Sequence, residues 1–314
     1  MKSNVIRLEP HHREEPAPMN LEEDLATPLS PEISEPTPEK KMTPLLNASR
    51  LEKMRARGTS LVMSLLLPSI TFLIVGMIWA YIHAHVSPQI PSPGETWDHA
   101  KEVLAHPFYQ KGPNDMGVGW QVLYSLGRVM AGFGLAAIVG IPVGFMMGMS
   151  ETFQKAWQPL IQILRPVSPL AWLPIGLLLF KAVNPSAIFV IFITSIWPMI
   201  LNTAAGVKAI PKDYMNVAAV LRLGNLEITR KILLPATLPH VITGMRLSLS
   251  IAWMVIVAAE MLTGGIGIGF YVWDEWNNLS IPSIIVAIGI IGMVGIALEL
   301  IMTLIQRRFD YNLR

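Results

Sequence analysis

Five charged side chains stand within or at the edges of long apolar stretches of this 314-residue chain. They are Arg128, Arg165, Arg246, Glu260 and Glu299. A charge in such surroundings is costly unless it is paired or hydrated. Arginine presents a planar fork of N–H donors that suits oxyanions, so the three arginines could attract a passing anion. They could also form structural ion pairs with the two glutamates, and the sequence leaves both interpretations open.

Arg246 and Glu260 cannot pair with each other if both lie on one straight helix. They stand fourteen residues apart, which corresponds to about 21 Å along a helix axis. We therefore expect each of them to find its partner on another element.

The chain carries no recognisable catalytic or nucleotide-binding pattern. It has no cysteine, which rules out disulfides and thiolate chemistry. His83 and His85 have no third ligand nearby in the sequence, so we expect no metal site. The glycine-rich run 264–269 follows an apolar stretch rather than a strand, which indicates a loop or re-entrant turn and not a nucleotide fingerprint. We predict no catalytic residue, no bound cofactor and no nucleic-acid partner.

The composition is that of a membrane protein. Hydrophobic residues make up 52% of the chain, and charged residues make up 15%, against about 25% in soluble domains. About 20 apolar residues suffice for a helix to cross a bilayer core of about 30 Å. Six charge-poor runs meet this length: 61–82, 129–149, 156–180, 182–207, 236–262 and 281–305. Because the runs are continuously apolar rather than alternating, we predict an all-α polytopic membrane protein with six transmembrane helices.

The distribution of Lys and Arg predicts the orientation. One set of loops and flanks is rich in both residues, whereas the opposite set holds only Lys101, Lys111 and Lys181. By the positive-inside rule, both termini and segment 208–235 should be cytoplasmic. Segments 83–120 and 263–280 should face outward.

The sequence predicts three regions. Residues 1–59 form a cytoplasmic tail, which is mostly disordered because its first 44 residues contain eight prolines, nine acidic residues and no aromatic residue,. The tail ends in the basic patch Arg50–Arg57 next to the first span. Residues 60–310 form the membrane domain, and residues 311–314 form a short cytoplasmic C-terminus.

Two patterns inside the spans predict structure. Gly132, Ala136, Gly140, Gly144 and Gly148 recur every fourth residue, which predicts one small-residue helix face for close packing against another helix. The run Pro166, Pro169 and Pro174 interrupts the third span. A run with missing backbone hydrogen bonds should face protein or a water-filled route rather than lipid.

Segment 208–235 is the longest charged interruption between spans. Pro211 and Asp213 favour a helix start, and an apolar face with Val217, Ala218, Val220 and Leu221 follows. Gly224–Asn225 indicates a turn before a second short helix that ends at Leu234–Pro235. Two short helices joined by a turn would form a rigid projection suited to a soluble partner.

This segment resembles the cytoplasmic coupling loop of ABC-type import permeases. The family pattern is Glu-Ala-Ala, three residues, Gly, nine residues, then Ile-x-Leu-Pro. Here Asn216-Val217-Ala218 stands for the triplet, Arg222 stands for the glycine, and Ile232-x-Leu234-Pro235 closes the pattern. The resemblance implies that contact with an ATPase is made by Asn216, Val217, Ala218, Arg222, Gly224, Ile232, Leu234 and Pro235.

Further stretches within 60–310 resemble the permease subunit of nitrate/sulfonate/bicarbonate-type ABC importers. They are His106-Pro107-Phe108-Tyr109, Gly112-Pro113-Asn114-Asp115, Gly119-Trp120-Gln121, Pro169–Pro174, Phe192–Pro198, Lys231–Pro235 and Ala258–Met261. The outer-loop stretches are most like the nitrate branch. The resemblance implies a type I ABC importer permease fold, a homodimer in the bacterial inner membrane, cytoplasmic ATPase chains that hold ATP-Mg, and a periplasmic or lipid-anchored solute-binding protein.

The function expected from this resemblance is ATP-driven import of a small inorganic anion, nitrate or nitrite. Bicarbonate, cyanate and sulfonate are alternatives within the family, and a stand-alone secondary transporter or channel is the alternative of another class. The candidates for the substrate pathway are Arg165, Arg246, Arg128, Trp172, Thr194 and Glu260.

Overall fold

The computed structural model describes residues 45–112 and 115–309, and within them the chain is built from helices. The predicted disorder of residues 1–44, residues 113–114 and the predicted C-terminus 311–314 lie outside the described residues. Contacts divide the chain before and after Pro68, and all sites considered below belong to the unit that begins at Pro68. The helices are α1 (Leu45–His85), α2 (Pro93–Ala105), α3 (Val118–Met149), α4 (Glu151–Leu164), α5 (Leu173–Phe180), α6 (Val183–Lys208), α7 (Lys212–Val220), α8 (Asn225–Ile228), α9 (Leu234–Thr263), α10 (Ile268–Asn277) and α11 (Ile281–Phe309).

The predicted membrane spans are confirmed, with one qualification at the third. Within the described residues, five helical stretches are long and apolar enough to cross a membrane: Leu66–His85, Val118–Met149, Val183–Lys208, Thr229–Thr263 and Ile281–Phe309. The third predicted span, 156–180, is not one straight helix. It consists of α4 and a second stretch, Pro169–Phe180, that are bent by 96° relative to each other. The bend lies at the predicted proline run, where Pro166 and Pro169 have no backbone N–H to continue the helix.

Helices α3 and α6 pack together along the predicted small-residue face. A Cβ added at Gly132 would lie 2.6 Å from the Cβ of Ile191, and one added at Gly144 would lie 2.6 Å from that of Thr203. Gly140 and Gly148 approach the same helix in the same way. The prediction of close helix packing is therefore confirmed, and any side chain at these positions would push the two backbones apart.

Helix α6 is the central helix of the bundle, because it packs against both α3 and α9. Gly244 of α9 and Gly206 of α6 bring these backbones together, since an added Cβ at either position would lie within 3 Å of a side chain of the other helix. Ile191, Met199 and Ile256 are fully buried in the resulting core. The short helix α10 and the last span α11 pack against α9.

The second half of segment 208–235 departs from the prediction. No helix ends at Leu234–Pro235; a π-helical turn, Thr229–Leu233, joins α8 directly to α9. In this turn the N–H of Leu234 bonds to the carbonyl of Thr229, five residues back. The wider turn and the position of Pro235 at the start of α9 let the chain continue where a proline was expected to end the helix. The segment is therefore one free short helix, α7, followed by the start of a membrane helix.

Candidate functional site

Arg128 of α3 and Glu260 of α9 form a buried ion pair inside the bundle. Arg128 Nη1 lies 2.6 Å from Glu260 Oε1, and the side chains are only 8% and 1% exposed. Arg128 Nε also donates to Asn184 Oδ1 on α6, at 2.9 Å. The pair thus ties together three helices. It also confirms that Glu260 finds its partner on another element and not in Arg246.

A loop of bare backbone covers the other side of the Glu260 carboxylate. The N–H of Gly269 donates to Glu260 Oε2 at 3.0 Å, and Ser125 Oγ donates to the same carboxylate at 2.8 Å. The N–H of Ile268 in turn donates to Ser125 Oγ, and the N–H of Gly267 donates to Gln121 Oε1. Residues 264–267 of the glycine-rich run thus form a loop, as predicted, and Ile268 and Gly269 begin α10. Together they enclose a buried carboxylate.

Glycine is required in this loop for two reasons. Gly264 and Gly265 have φ values of +74° and +93°, which side chains rarely adopt. At Gly267 an added Cβ would collide with the Glu260 carboxyl group, and at Gly269 it would collide with the carbonyl of Val257. The sequence pattern that resembled a nucleotide fingerprint is therefore explained by the close approach of backbone to Glu260.

Sequence reasoning missed the polar partners of this pair. Gln121, Ser125 and Arg128 are spaced by four and three residues, which places them on one face of α3. That spacing was the available signal. Arg128 also borders a cavity of about 390 Å³, whose lining includes Trp120, Tyr124 and Asn184. Because Glu260 neutralises the guanidinium and the rest of the wall is mostly apolar, this cavity carries little net charge.

Arg246 forms a separate ion pair far along the bundle. Its Nε lies 2.9 Å from Glu299 Oε1 on α11, and its Nη1 donates to Gln306 Oε1 at 2.9 Å. Ser250 Oγ donates to Glu299 Oε2. The expected partner on another element is thus present. The contacts favour the structural interpretation of Arg246 over a free anion-attracting arginine.

Arg165 differs from the other two arginines. It lies at the C-terminal end of α4, just before the bend, and its side chain is exposed. Among the described residues, no carboxylate lies within ion-pair distance of its guanidinium. Arg165 borders a cavity of about 550 Å³ together with Gln154, Gln158 and Gln162. The three glutamines were not singled out from the sequence, although their spacing of four residues places them on one helix face.

The remaining pathway candidates lie elsewhere. Trp172 precedes α5 and packs on a small cluster of buried apolar residues formed by Leu173, Val190 and Val255. Thr194 donates its hydroxyl to the Val190 carbonyl of its own helix, at 2.7 Å. The six candidates therefore do not converge on one site in the protomer, and only Arg128 and Glu260 are in contact.

The surface beside α10, which the sequence predicts to face outward, is acidic. A cavity of about 280 Å³ has Asp115, Asp274 and Glu275 in its wall, together with Tyr109 and Tyr271. Burial, reinforced by nearby carboxylates, raises the pKa of Tyr271 to about 12. Burial and a hydrogen bond to Asp115 raise the pKa of Tyr109 as well. Both phenols are thus protonated donors at neutral pH, and the negative charge of this cavity belongs to the carboxylates.

The predicted coupling residues divide into a buried and an exposed set. Ala218 is fully buried, so it does not lie on the exposed apolar face to which the sequence assigned it. Val217, Val220 and Leu221 do lie there and are 56%, 82% and 64% exposed. The other coupling candidates are distributed as follows: Asn216, Gly224, Leu234 and Pro235 are exposed, and Ile232 is half-buried.

Arg222 occupies the position that is glycine in the family pattern. Its φ is +52°, in the left-handed region that glycine adopts without strain. The turn therefore has the backbone geometry that the pattern implies, with arginine in place of glycine. After the turn, the N–H of Gly224 and the ammonium of Lys231 both bond to the Glu227 carboxylate. These bonds, with Lys231 as the main cause, lower the pKa of Glu227.

Comparison with known proteins identifies the family. Residues 140–314 match the family described as binding-protein-dependent transport system inner membrane component. The chain belongs to this family. It is the permease component of an ABC importer, a multi-pass inner-membrane protein that is not itself an ATPase. This membership excludes the stand-alone carrier or channel considered from the sequence.

Two curated relatives place the permease within the family. It is 49% identical over 214 residues to the nitrate import permease protein NrtB of Leptolyngbya laminosa. The aligned residues are 68% of this chain and 75% of the relative. It is 46% identical over 226 residues to the bicarbonate transport system permease protein CmpB of Synechocystis sp. The aligned residues are 71% of this chain and 81% of the relative. The permease is therefore of the nitrate/sulfonate/bicarbonate type that the sequence resembles.

A solved structure supports the fold. A chain of the MetNI methionine ABC transporter in an inward-facing conformation aligns with a TM-score of 0.55 at 14% identity, over 60% of the permease and 94% of that chain. The family match includes α4, segment 208–235 and the Arg246–Glu299 pair, whereas Gln121, Ser125 and Arg128 precede it. Three side chains of the Glu260 network thus lie outside the part of the chain that the family model covers.

Proposed function

We propose that this permease imports nitrate, with bicarbonate as the second candidate. The observation that supports nitrate is the 49% identity to a nitrate import permease. The 46% identity to a bicarbonate permease is close enough to keep bicarbonate as the alternative. Both ions are small, planar and singly charged oxyanions, so one arrangement of N–H donors can serve either of them.

The energy source is a separate ATPase that binds ATP-Mg on the cytoplasmic side. Two permease chains would form the membrane channel and two ATPases would attach to them. The contact would be made by segment 208–235, where Val217, Val220 and Leu221 expose apolar surface on a segment rich in charge. Contiguous apolar surface next to polar residues is typical of a protein contact. Closure of the ATPases would move α7, and the π turn would carry this movement into α9.

Substrate would arrive on a solute-binding protein rather than by free diffusion. The acidic cavity beside α10 supports this view, because Asp115, Asp274 and Glu275 repel a dissolved anion at the outer surface,. Trp273 and Trp276 are 44% and 55% exposed on the same helix and could anchor a carrier protein. The proposed orientation has α10 outside and both termini inside.

Among the pathway candidates, Arg165 is the one that we propose for direct attraction of the anion. Arg128 and Arg246 are neutralised by Glu260 and Glu299. Glu260 is buried and accepts hydrogen bonds from three groups of its own chain, which are Ser125 Oγ, Arg128 Nη1 and the N–H of Gly269, so its role would be to position α3, α9 and α10. Trp172 and Thr194 would line the transport route only if that route runs along their side of the protomer, between it and the second protomer.

The test is transport by the purified importer in proteoliposomes. The permease, its ATPase and its solute-binding protein are reconstituted with ATP inside the vesicles, and uptake of ¹⁵N-nitrate and ¹⁴C-bicarbonate is compared. We expect ATP-dependent uptake of nitrate that excess unlabelled bicarbonate reduces little. Uptake of bicarbonate without uptake of nitrate would make bicarbonate the substrate in place of nitrate. ATP-independent uptake of either ion would contradict the coupled mechanism.

A further inference from the structure

One face of α4 carries an unusual series of polar side chains. Gln154, Gln158, Gln162 and Arg165 follow one another at spacings of four, four and three residues, so they share one helix face. All four border the cavity of about 550 Å³, which is closed on its other side by Met147 of α3 and Leu201 of α6. The cavity therefore lies between α4 and the cytoplasmic ends of two membrane helices.

The distribution of polar and apolar residues on α4 indicates that this cavity holds water. Leu160 and Ile163, away from the polar face, are 45% and 68% exposed on the outside of the protomer. An amphipathic helix in a membrane protein turns its polar face to water and its apolar face to lipid or to another apolar surface. The amides of α4 thus face this cavity.

The charge of the cavity is positive. Arg165 lies at one end of the glutamine series without a carboxylate partner among the described residues, and no carboxylate is among the described residues that line the cavity. At the other end Lys208 Nζ donates to Gln154 Oε1. The carbonyl oxygen of Gln154 is thereby occupied, which leaves its N–H₂ group free to donate.

We propose that this glutamine–arginine cavity is a low-affinity binding site for a small oxyanion in the cytoplasmic half of the transport route. Each glutamine offers two N–H donors and no charge, and Arg165 supplies the charge that selects anions over cations. Neutral donors and a cavity larger than the ion bind weakly, which suits a site that must release its ion. The proposal rests on the proposed function, because it takes the transported oxyanion as the ligand.

The absence of cysteine from the chain makes a direct test possible. Single variants Gln158→Cys and Gln162→Cys are made in the importer complex and placed in lipid nanodiscs; both positions are exposed, so we expect them to fold. Each is treated with an anionic methanethiosulfonate (ethylsulfonate) and a cationic one (ethyltrimethylammonium), and modification of the permease chain is followed by mass. Lys155→Cys is the matched control, because Lys155 lies on the same helix but does not line the cavity.

We expect the ratio of anionic to cationic modification rates at Gln158→Cys and Gln162→Cys to exceed the control ratio by about tenfold, as a focused positive field would produce. Adding Arg165→Gln should remove most of this preference. Nitrate at millimolar concentration should slow modification in the cavity but not at Lys155→Cys.

The possible outcomes test the binding site and the identity of the transported ion separately. Protection by bicarbonate and not by nitrate supports the site and contradicts nitrate as its ion. A ratio equal to that of the control overturns the site whatever the importer carries. Anionic preference without protection by either ion also overturns it as an oxyanion site.

Discussion

At the scale of single residues, the buried charges matter through their partners rather than through their number. Glu260 is 1% exposed and is compensated by Arg128, by Ser125 and by the N–H of Gly269. A buried ion pair adds little net stability compared with apolar residues, but loss of one partner leaves a charge that is buried and unpaired. The role of Arg128 should therefore depend on whether Glu260 is present.

Replacing Arg128 by Leu should lower stability strongly, by about 3–5 kcal/mol, because Glu260 would stay buried without its counter-ion. The double variant Arg128→Leu with Glu260→Leu should recover part of the loss, although the N–H of Gly269 then lacks an acceptor. The measurement is the apparent midpoint of thermal unfolding of the purified permease in detergent, followed by tryptophan fluorescence. A double variant less stable than Arg128→Leu would contradict this account.

The sequence identified the two charges of this network but not their surroundings. Arg128 and Glu260 stood out because a charge within an apolar run is rare. Ser125, Gln121 and Asn184 are ordinary polar residues at ordinary positions, and Glu260 lies 135 residues from Ser125 along the chain. The spacing of Gln121, Ser125 and Arg128 on one face of α3 is a local signal, but the contact with Glu260 follows from tertiary packing, which no local pattern encodes.

At the scale of elements, small residues set how closely the helices approach. Gly132, Gly140, Gly144 and Gly148 of α3 leave space that side chains and carbonyls of α6 fill. Their spacing alone predicted this packing, because a period of four residues repeats on one helix face. The π turn before α9 could not be predicted in this way, since Pro235 usually signals the end of a helix.

The change Gly144→Ala should destabilise the bundle by about 1–3 kcal/mol, because the new methyl group would overlap Thr203 and the carbonyl of Ile200,. Gly134→Ala is the matched control on the same helix. A Cβ at Gly134 meets nothing within 4 Å, so alanine should be neutral or stabilise by up to about 1 kcal/mol. Thermal unfolding of both variants in detergent measures the difference. Equal midpoints would contradict packing through this face.

The coupling surface predicts different results for neighbouring residues of α7. Val220 is 82% exposed, so Val220→Asp should leave the permease folded but weaken its binding to the ATPase at least about tenfold, or about 1.4 kcal/mol. Ala218 is fully buried, so Ala218→Asp should lower the yield of folded permease itself. Copurification with the ATPase and monodispersity of the isolated permease distinguish these effects. Full ATPase binding by folded Val220→Asp would contradict the proposed contact.

At the scale of the whole molecule, apolar length and charge placement were enough to predict the spans. Each of the six predicted runs overlaps a long helix or the bent pair of α4 and Pro169–Phe180. The prolines predicted the interruption, but its angle of 96° depends on how the two parts pack. Arg165 and Pro166, which lie at this bend, also line the cavity beside α4, and no sequence pattern predicted that cavity.

The first part of the N-terminal tail, residues 1–44, allows a test of whether the membrane domain folds and works without it. Residues 1–44 lie outside the described residues, and the prediction about them rests on composition alone. Deleting them should leave membrane insertion, dimer assembly and basal ATP-dependent uptake unchanged, because a segment so rich in proline and acidic residues has too little apolar surface to pack. Membrane fractionation and uptake by the truncated importer measure this. Failure of the truncated chain to insert would show that the tail has a structural role.

The network around Glu260 also has a consequence for how this chain can vary among relatives. Gln121, Ser125, Arg128 and Glu260 satisfy one another and the N–H groups of the glycine loop. A substitution at one of them leaves a group without its partner, so single steps are costly while joint changes need not be. We therefore expect these positions to covary with Gly267 and Gly269 in an alignment of permeases. A lineage that loses Glu260 should also lose Arg128 and be free to place side chains in the loop.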